Sequence, residues 1–241
     1  MTPDRNACNA GGEISAVHEG FSVLIRWAFL DNSPHVFPER AIPLFPANEV
    51  ARIERFVREP DRRLRYAAAE ILSDIISDHC PDRSGMTVVR DQYGRLFIQG
   101  ADSVDISVSH SGDIVVCAFA FNGRIGIDIE QVRSVDYRDF ESVFPDSLKK
   151  WLCPCYGFHE SGYTNDESFF HAWTLFESVL KADGRGLSAP LDDFVFEDSI
   201  ARLDRDIWHV NRVPVSAGYI CTLASSLPVF RCDAKRYTCC R

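Results

Sequence analysis

Glu177 and Lys181 stand four residues apart in the segment 169–187, the spacing that sets two side chains side by side on a helix. Taken alone, an acid beside an ammonium reads as an ordinary surface ion pair, since exposed pairs of this spacing are common. A second group of acids lies upstream. Asp128 and Glu130 alternate with Ile125, Ile127 and Ile129, so the two carboxylates share one strand face. Two carboxylates there are costly unless something cationic binds, and a hard divalent ion such as Mg²⁺ suits oxygen ligands and a phosphate-bearing substrate. A solvated acidic strand end is the alternative for an isolated Asp-x-Glu. His110, flanked by Ser109 and Ser111, can bind phosphate oxygens at the mouth of such a site, or serve as a polar turn residue.

The elements that must hold these groups are legible from periodicity. Phe169, Trp173, Phe176 and Leu180 recur at the helical period and supply a buried stripe, and Gly184 and Gly186 stop the helix. Residues 103–109 alternate as a half-buried strand, with Val104, Ile106 and Val108 on one face and Asp105, Ser107 and Ser109 on the other. A polar turn at 110–113 leads into the nearly continuous apolar run 114–121. Asn122-Gly123 is a hairpin signal, and 124–130 is the expected return strand. That hairpin pairs Phe121 with Arg124, Cys117 with Asp128 and Val115 with Glu130, and sets Ser109 beside Ile114. The Ser109-His110 turn and the two acids then share one end of a sheet, roughly 10 Å apart.

Composition bounds the rest. The chain has 241 residues, 46% hydrophobic, enough for one substantial domain or two small ones. A net charge of −9 argues against nucleic acid, which needs a basic footprint. No apolar run is long enough to span a bilayer and residues 1–12 are no signal peptide, so the expected setting is cytoplasmic. Nine cysteines then read as thiols. Cys153, Cys155 and His159 with Cys232, Cys239 and Cys240 match no common zinc spacing. Arg52, Arg55, Arg58, Arg62, Arg63 and Arg65 form a basic segment leading into an apolar helix at 66–76, with Arg52 and Arg58 read as a solvated face. Residues 151–167 read as an irregular excursion, a lid or docking surface. Residues 218–224 faintly echo 112–118, each an apolar strand after a glycine turn.

Three segments together carry a family resemblance: Ser107-Val108-Ser109-His110-Ser111-Gly112, Gly126-Ile127-Asp128-Ile129-Glu130, and residues 173–187 from Trp173 to Leu187. In this order and spacing the chain, over about residues 45–200, resembles the 4′-phosphopantetheinyl transferases of the larger, surfactin-synthetase-activating type. Weaker agreement lies at Asp91-Gln92-Tyr93-Gly94-Arg95. The resemblance implies an α+β fold of two similar α/β halves related by a pseudo-twofold, with the active site in the cleft between them. The halves would be residues 1–122 and 123–241. It implies transfer of the phosphopantetheine arm of coenzyme A to a serine of an apo acyl or peptidyl carrier protein, with Mg²⁺, releasing adenosine 3′,5′-bisphosphate. Asp128, Glu130 and Glu177 would be the metal ligands, Glu177 the base for the serine proton, and Lys181 the partner of the pyrophosphate and leaving phosphate. Ser109 and His110 would bind the 3′-phosphate of coenzyme A, with Arg63 or Arg65 as a clamp and Arg95 along the nucleotide. The expected protein is a monomer that docks its acidic carrier on a local patch, in fatty-acid, polyketide, siderophore or peptide synthesis.

Two positions depart from the family pattern. Phe176 stands where a lysine often precedes the glutamate, and Leu96 where proline commonly follows the Tyr-Gly-basic motif. Two other functions use the same residues: a metal-dependent nucleotide pyrophosphohydrolase, and a catalytically dead module that binds carrier proteins or coenzyme A.

Overall fold

A computed structural model describes residues 20–136, 140, 143–149 and 164–238. The chain is α+β. In order, the elements are β1 (Ser22–Phe29), α1 (Ala47–Glu54), α2 (Glu59–His79), β2 (Thr87–Arg90), β3 (Leu96–Gln99), β4 (Val104–Ser111), β5 (Ile114–Phe121) and β6 (Ile125–Gln131). Then follow α3 (Asp146–Lys149), α4 (Asn165–Asp183), β7 (Val195–Glu197), β8 (Ile200–Leu203), β9 (Asp206–Arg212), β10 (Tyr219–Ser225) and β11 (Arg231–Arg236). One sheet has the order β11-β1-β5-β4, a second β6-β10-β9-β8-β7, and β2-β3 is a separate hairpin. The last strand, β11, returns to lie parallel to β1 in the first sheet.

Strand alternation sorts the core into layers. Val115, Cys117 and Phe119 of β5 pack with Leu64, Ile71 and Ile76 of α2, while Ile114, Val116 and Ala118 face the other way. There they meet Ile125, Ile127 and Ile129 of β6 and Leu223 of β10, so the two sheets pack face to face. On the far side of the second sheet, Phe169, Phe176 and Leu180 of α4 pack with Phe194, Trp208 and Ala224. None of the helices among the described residues is long and apolar enough to cross a membrane. Cys80, Cys117, Cys221 and Cys232 are free thiols; Cys153, Cys155, His159, Cys239 and Cys240 lie outside the described residues.

The expected β5–β6 hairpin does not form. Both edges of β5 are already taken, Ala118 pairing with Ile25 of β1 on one side and Ser107 of β4 on the other. A strand buried on both faces is a central strand, and it has no edge left to offer. Asn122 turns with φ 58°, its N–H donates to Ser103 O at 2.7 Å, and the chain leaves for the second sheet, where Asp128 pairs with Thr222 and Glu130 with Ile220. The turn between β4 and β5 is also tighter than expected. Ser111, not Ser109, lies opposite Ile114, so Ser109 and His110 belong to the strand and only Gly112-Asp113 turns.

The polar face of β4 has an unexpected task. Ile125 N–H donates to Asp105 Oδ2 at 2.7 Å and Ile127 N–H to Ser107 Oγ at 3.0 Å. Ile129 N–H and Gln131 N–H donate in the same way to Ser109 Oγ at 3.4 Å and Ser111 Oγ at 3.1 Å. Side-chain oxygens thus stand in for the missing backbone ladder between two edge strands of different sheets.

Candidate active site

Helix α4 begins four residues earlier than the apolar stripe requires, because Thr164 and Glu167 form a reciprocal capping box, the Thr164 hydroxyl accepting from Glu167 N–H at 3.2 Å. Residues 165–167, read from sequence as part of an excursion, are therefore the helix's first turn; residues 150–163 lie outside the described residues. At the other end Gly184, φ 91°, caps the helix as the spacing predicts. Phe169, Phe176 and Leu180 are fully buried. Phe176 lies edge-on to Phe194, centroids 5.2 Å apart, and against Phe144 at 6.0 Å. It anchors the helix and faces away from the acids.

The helix also comes unusually close to β6. A Cβ on Gly126 would collide with Ser178 O and Ala182 N, so only glycine lets α4 lie on the strand backbone. That approach carries Glu177 and Lys181 to the strand acids. Lys181 Nζ donates to Asp128 Oδ1 at 2.6 Å and to Ser109 Oγ at 2.8 Å, and Ser109 Oγ donates to Asp128 Oδ1 at 2.7 Å. Ser111 Oγ donates to Glu130 Oε2 at 2.5 Å. Asp128, Glu130 and Glu177 line one pocket of about 290 Å³ with Ser109, His110, Trp173 and Lys181.

The electrostatics of that pocket call for positive charge. Burial, then repulsion from Asp128, raises the Glu177 carboxyl above its ordinary value, with Lys181 opposing. Burial raises Glu130 too, against the hydrogen bond from Ser111. Glu177 has no hydrogen bond or ion pair among the described residues. Asp128 Oδ2 is buried without a hydrogen-bond partner among the described residues. No three His, Cys, Asp or Glu side chains among the described residues already close into a metal-holding cluster. The donor set still fits a hard divalent cation: three carboxylates on one pocket, an orphaned buried oxygen, and charges that repel one another until a cation joins them.

A second cleft, about 380 Å³, continues from the first, and His110, Glu177 and Lys181 line both. Its far wall is basic, formed by Arg52, Arg65 and Arg90 with Tyr93. Arg52 and Arg90 are held by Glu49, 6% exposed: Arg52 Nε meets Glu49 Oε2 at 2.9 Å and Arg90 Nε meets Oε1 at 3.0 Å. Burial pulls the Glu49 carboxyl up, but the Arg52 hydrogen bond and the two guanidinium charges hold it below its ordinary value. Arg65 lies over the Phe56 ring, 3.6 Å from the centroid. Burial, then the charges of Arg65 and Lys181, lowers His110, so its imidazole is neutral at pH 7.

The sequence-derived residues therefore divide. Asp128, Glu130, Glu177, Lys181, His110 and Arg65 gather along one continuous cleft. Arg63 does not reach it; its guanidinium donates to Leu30 O at 3.0 Å and Ser33 O at 3.2 Å, tying α2 to the turn after β1. Arg95 borders the cleft, but its guanidinium is spent on Asp105 Oδ2 at 2.6 Å, Lys181 O at 3.0 Å and Ile125 O at 3.2 Å, where it staples the sheets and α4 together. Ser109 alternates with His110 along β4 and turns its hydroxyl to Asp128, away from the basic wall. Arg52, Arg90 and Glu49 were missed. Arg52 looked like a solvated charge, and Arg90 stands directly before the Asp91–Arg95 motif, which was the available signal.

The family model of the 4′-phosphopantetheinyl transferase superfamily matches residues 124–224. The chain is 34% identical over 107 residues to the 4′-phosphopantetheinyl transferase gsp of Aneurinibacillus migulanus, covering 44% of this chain and 41% of that protein. It is 27% identical over 157 residues to the 4′-phosphopantetheinyl transferase Sfp of Bacillus subtilis (strain 168), covering 65% of this chain and 67% of that one. To the 4′-phosphopantetheinyl transferase ffp of Bacillus subtilis it is 24% identical over 200 residues, 80% of this chain and 87% of the other. The matched span is thus less than half of the first relative's length and about two thirds or more of the other two.

Proposed function

Because the chain belongs to the 4′-phosphopantetheinyl transferase superfamily, we propose that it transfers the 4′-phosphopantetheine group of coenzyme A to a serine of an apo acyl or peptidyl carrier protein. The observation that carries this reading is the shared wall of the two pockets. His110, Glu177 and Lys181 border both an acidic pocket and an arginine-lined cleft, an arrangement that suits a pyrophosphate at one end and a further phosphate at the other. The likeness to the transferases gsp, Sfp and ffp and this chain's order of motifs support assignment to the larger type, with two sheet-and-helix layers as its two halves.

In the reaction the carrier's serine oxygen attacks the pantetheine-bearing phosphorus of coenzyme A. The bond from that phosphorus to the bridging oxygen breaks, and adenosine 3′,5′-bisphosphate leaves with the electron pair. Glu177, at the junction of the two pockets and with no hydrogen bond or ion pair among the described residues, takes the serine proton. Lys181 is anchored on Asp128 and Ser109 and lies along both pockets, where its ammonium stabilises charge growing on the leaving phosphate. Arg52, Arg65 and Arg90 hold the far phosphate, with His110 as a neutral hydrogen-bond partner. Asp128, Glu130 and Glu177 would hold Mg²⁺, which supplies charge neutralisation on the pyrophosphate when bound.

Incubation with coenzyme A, Mg²⁺ and an apo carrier protein, followed by intact-mass measurement of the carrier, tests the reading. A gain of one phosphopantetheine is the expected result. A carrier left unmodified while coenzyme A is consumed would replace it with the pyrophosphohydrolase.

A further inference from the structure

The four side-chain rungs that join β4 to β6 are of two kinds. Asp105 and Ser107 accept the amides of Ile125 and Ile127 and touch none of the three site carboxylates. Ser109 and Ser111 accept the next two amides and also donate to an acid, Ser109 to Asp128 Oδ1 and Ser111 to Glu130 Oε2. The same seam that joins the sheets therefore grips the two strand acids. For Asp128 the grip is shared with Lys181. For Glu130 no ion pair exists among the described residues, and Ser111 is its hydrogen-bond partner.

We propose that Ser111 is a positioning residue for the metal, acting through Glu130; this rests on the transferase reading and its divalent cation. Gln131 N–H, at 3.1 Å, occupies one lone pair of the Ser111 hydroxyl oxygen, and Glu130 Oε2, at 2.5 Å, receives its proton. With one lone pair fixed by an amide, the hydroxyl has fewer positions left for its hydrogen, and one of them meets Glu130 Oε2. Glutamate has a long, rotatable side chain, and a donor held in place by the seam selects one arrangement of it before any cation arrives. The register of the seam thus becomes part of the site.

Ser107 supplies a matched control, because it makes the same kind of seam bond without an acid. The test titrates Mn²⁺ as the probe into the full chain with saturating coenzyme A, reading free Mn²⁺ by electron paramagnetic resonance, and records melting temperatures alongside. Ser111→Ala is expected to weaken Mn²⁺ binding by about 10–100-fold, the range for loss of a group that orients a ligand. Ser111→Thr keeps the hydroxyl and restores binding, and Ser107→Ala binds as the parent does while losing similar thermal stability. Should Ser111→Ala not fold, Ser111→Cys, with its weaker donor, takes its place with a loss in the same direction. Parent-like affinity in the Ser111 variant overturns the proposal and leaves the transferase reading standing. Equal weakening in the Ser107 variant overturns it as well, reducing Ser111 to a seam residue. Absence of Mn²⁺ binding by the parent overturns it together with the metal reading.

Discussion

Lys181 Nζ lies 2.6 Å from Asp128 Oδ1, so the ammonium that helical spacing sets beside Glu177 is paired across the interface with a strand acid instead. The consequence is that Glu177, on the neighbouring turn, keeps its carboxylate unpaired among the described residues, at the junction of two pockets. One helix thereby presents a committed cation and an uncommitted carboxylate.

Removing the cation should damage both stability and turnover. Asp128 is almost fully buried and Lys181 about a third exposed, so Lys181→Met leaves a buried charge half-compensated by Ser109. A loss of about 2–3 kcal/mol is expected, below the ~3–5 kcal/mol of a fully buried pair, together with loss of transfer. Chemical denaturation of Lys181→Met and of Lys181→Met with Asp128→Asn measures it. The double variant should recover most of the lost stability and none of the activity.

Glu177 should behave in the opposite sense. Its carboxyl is raised in the folded protein, so its contribution to stability is full at acid pH and is lost as pH rises through the folded value. Glu177→Gln should therefore be more stable than the metal-free parent at neutral pH, by about 1 kcal/mol, with the difference closing as pH falls toward the ordinary carboxylate value. Transfer should drop by roughly 10²–10⁴-fold. Melting curves across pH and single-turnover rates check the two halves of this expectation. A Gln variant less stable at every pH would contradict the assigned environment.

Glu49 tests the basic wall. Its folded carboxyl lies below the ordinary value, so its contribution is present above that value and lost as pH falls through the lowered one. Glu49→Gln should cost about 1–2 kcal/mol at pH 7, limited because Arg52 and Arg90 are each about a third exposed. It should also flatten the acid limb of the stability profile. Unfolding free energies between neutral and acid pH give the answer.

His110 and Arg65 should act on substrate binding more than on chemistry. His110→Ala and Arg65→Ala are each expected to raise KM for coenzyme A by about tenfold with a much smaller change in kcat, the value of one hydrogen bond to a charged group. With 3′-dephospho-coenzyme A as substrate the two variants should differ little from the parent. An equal penalty on both substrates would place these residues away from the 3′-phosphate.

Local patterns disclosed most of the elements. The stripe Phe169, Phe176, Leu180 and the cap at Gly184 needed only helical period and glycine chemistry. The pairing of β6 was not legible in the same way, because Asn122-Gly123 has a strong local preference and only the double occupation of β5 overrides it. Asp105, Ser107, Ser109 and Ser111 look like a solvent face by alternation; that they receive amides from another sheet depends on contacts twenty residues apart. For the same reason Arg95 reads as a nucleotide contact until Asp105 is seen beneath it. Among the arginines, sequence could locate the basic segment but not decide which guanidinium is spent on a carbonyl, as in Arg63, and which faces the cleft, as in Arg65.

A single cleft that joins the acidic pocket to the basic wall would couple coenzyme A cleavage to carrier loading. The most direct measurement follows adenosine 3′,5′-bisphosphate release and carrier mass in one reaction of the full chain with coenzyme A, Mg²⁺ and apo carrier protein. The account predicts one bisphosphate released per carrier loaded, with both lost in Glu177→Gln. Bisphosphate release without a loaded carrier, or carrier loading that survives Glu177→Gln at the parent's rate, would contradict it.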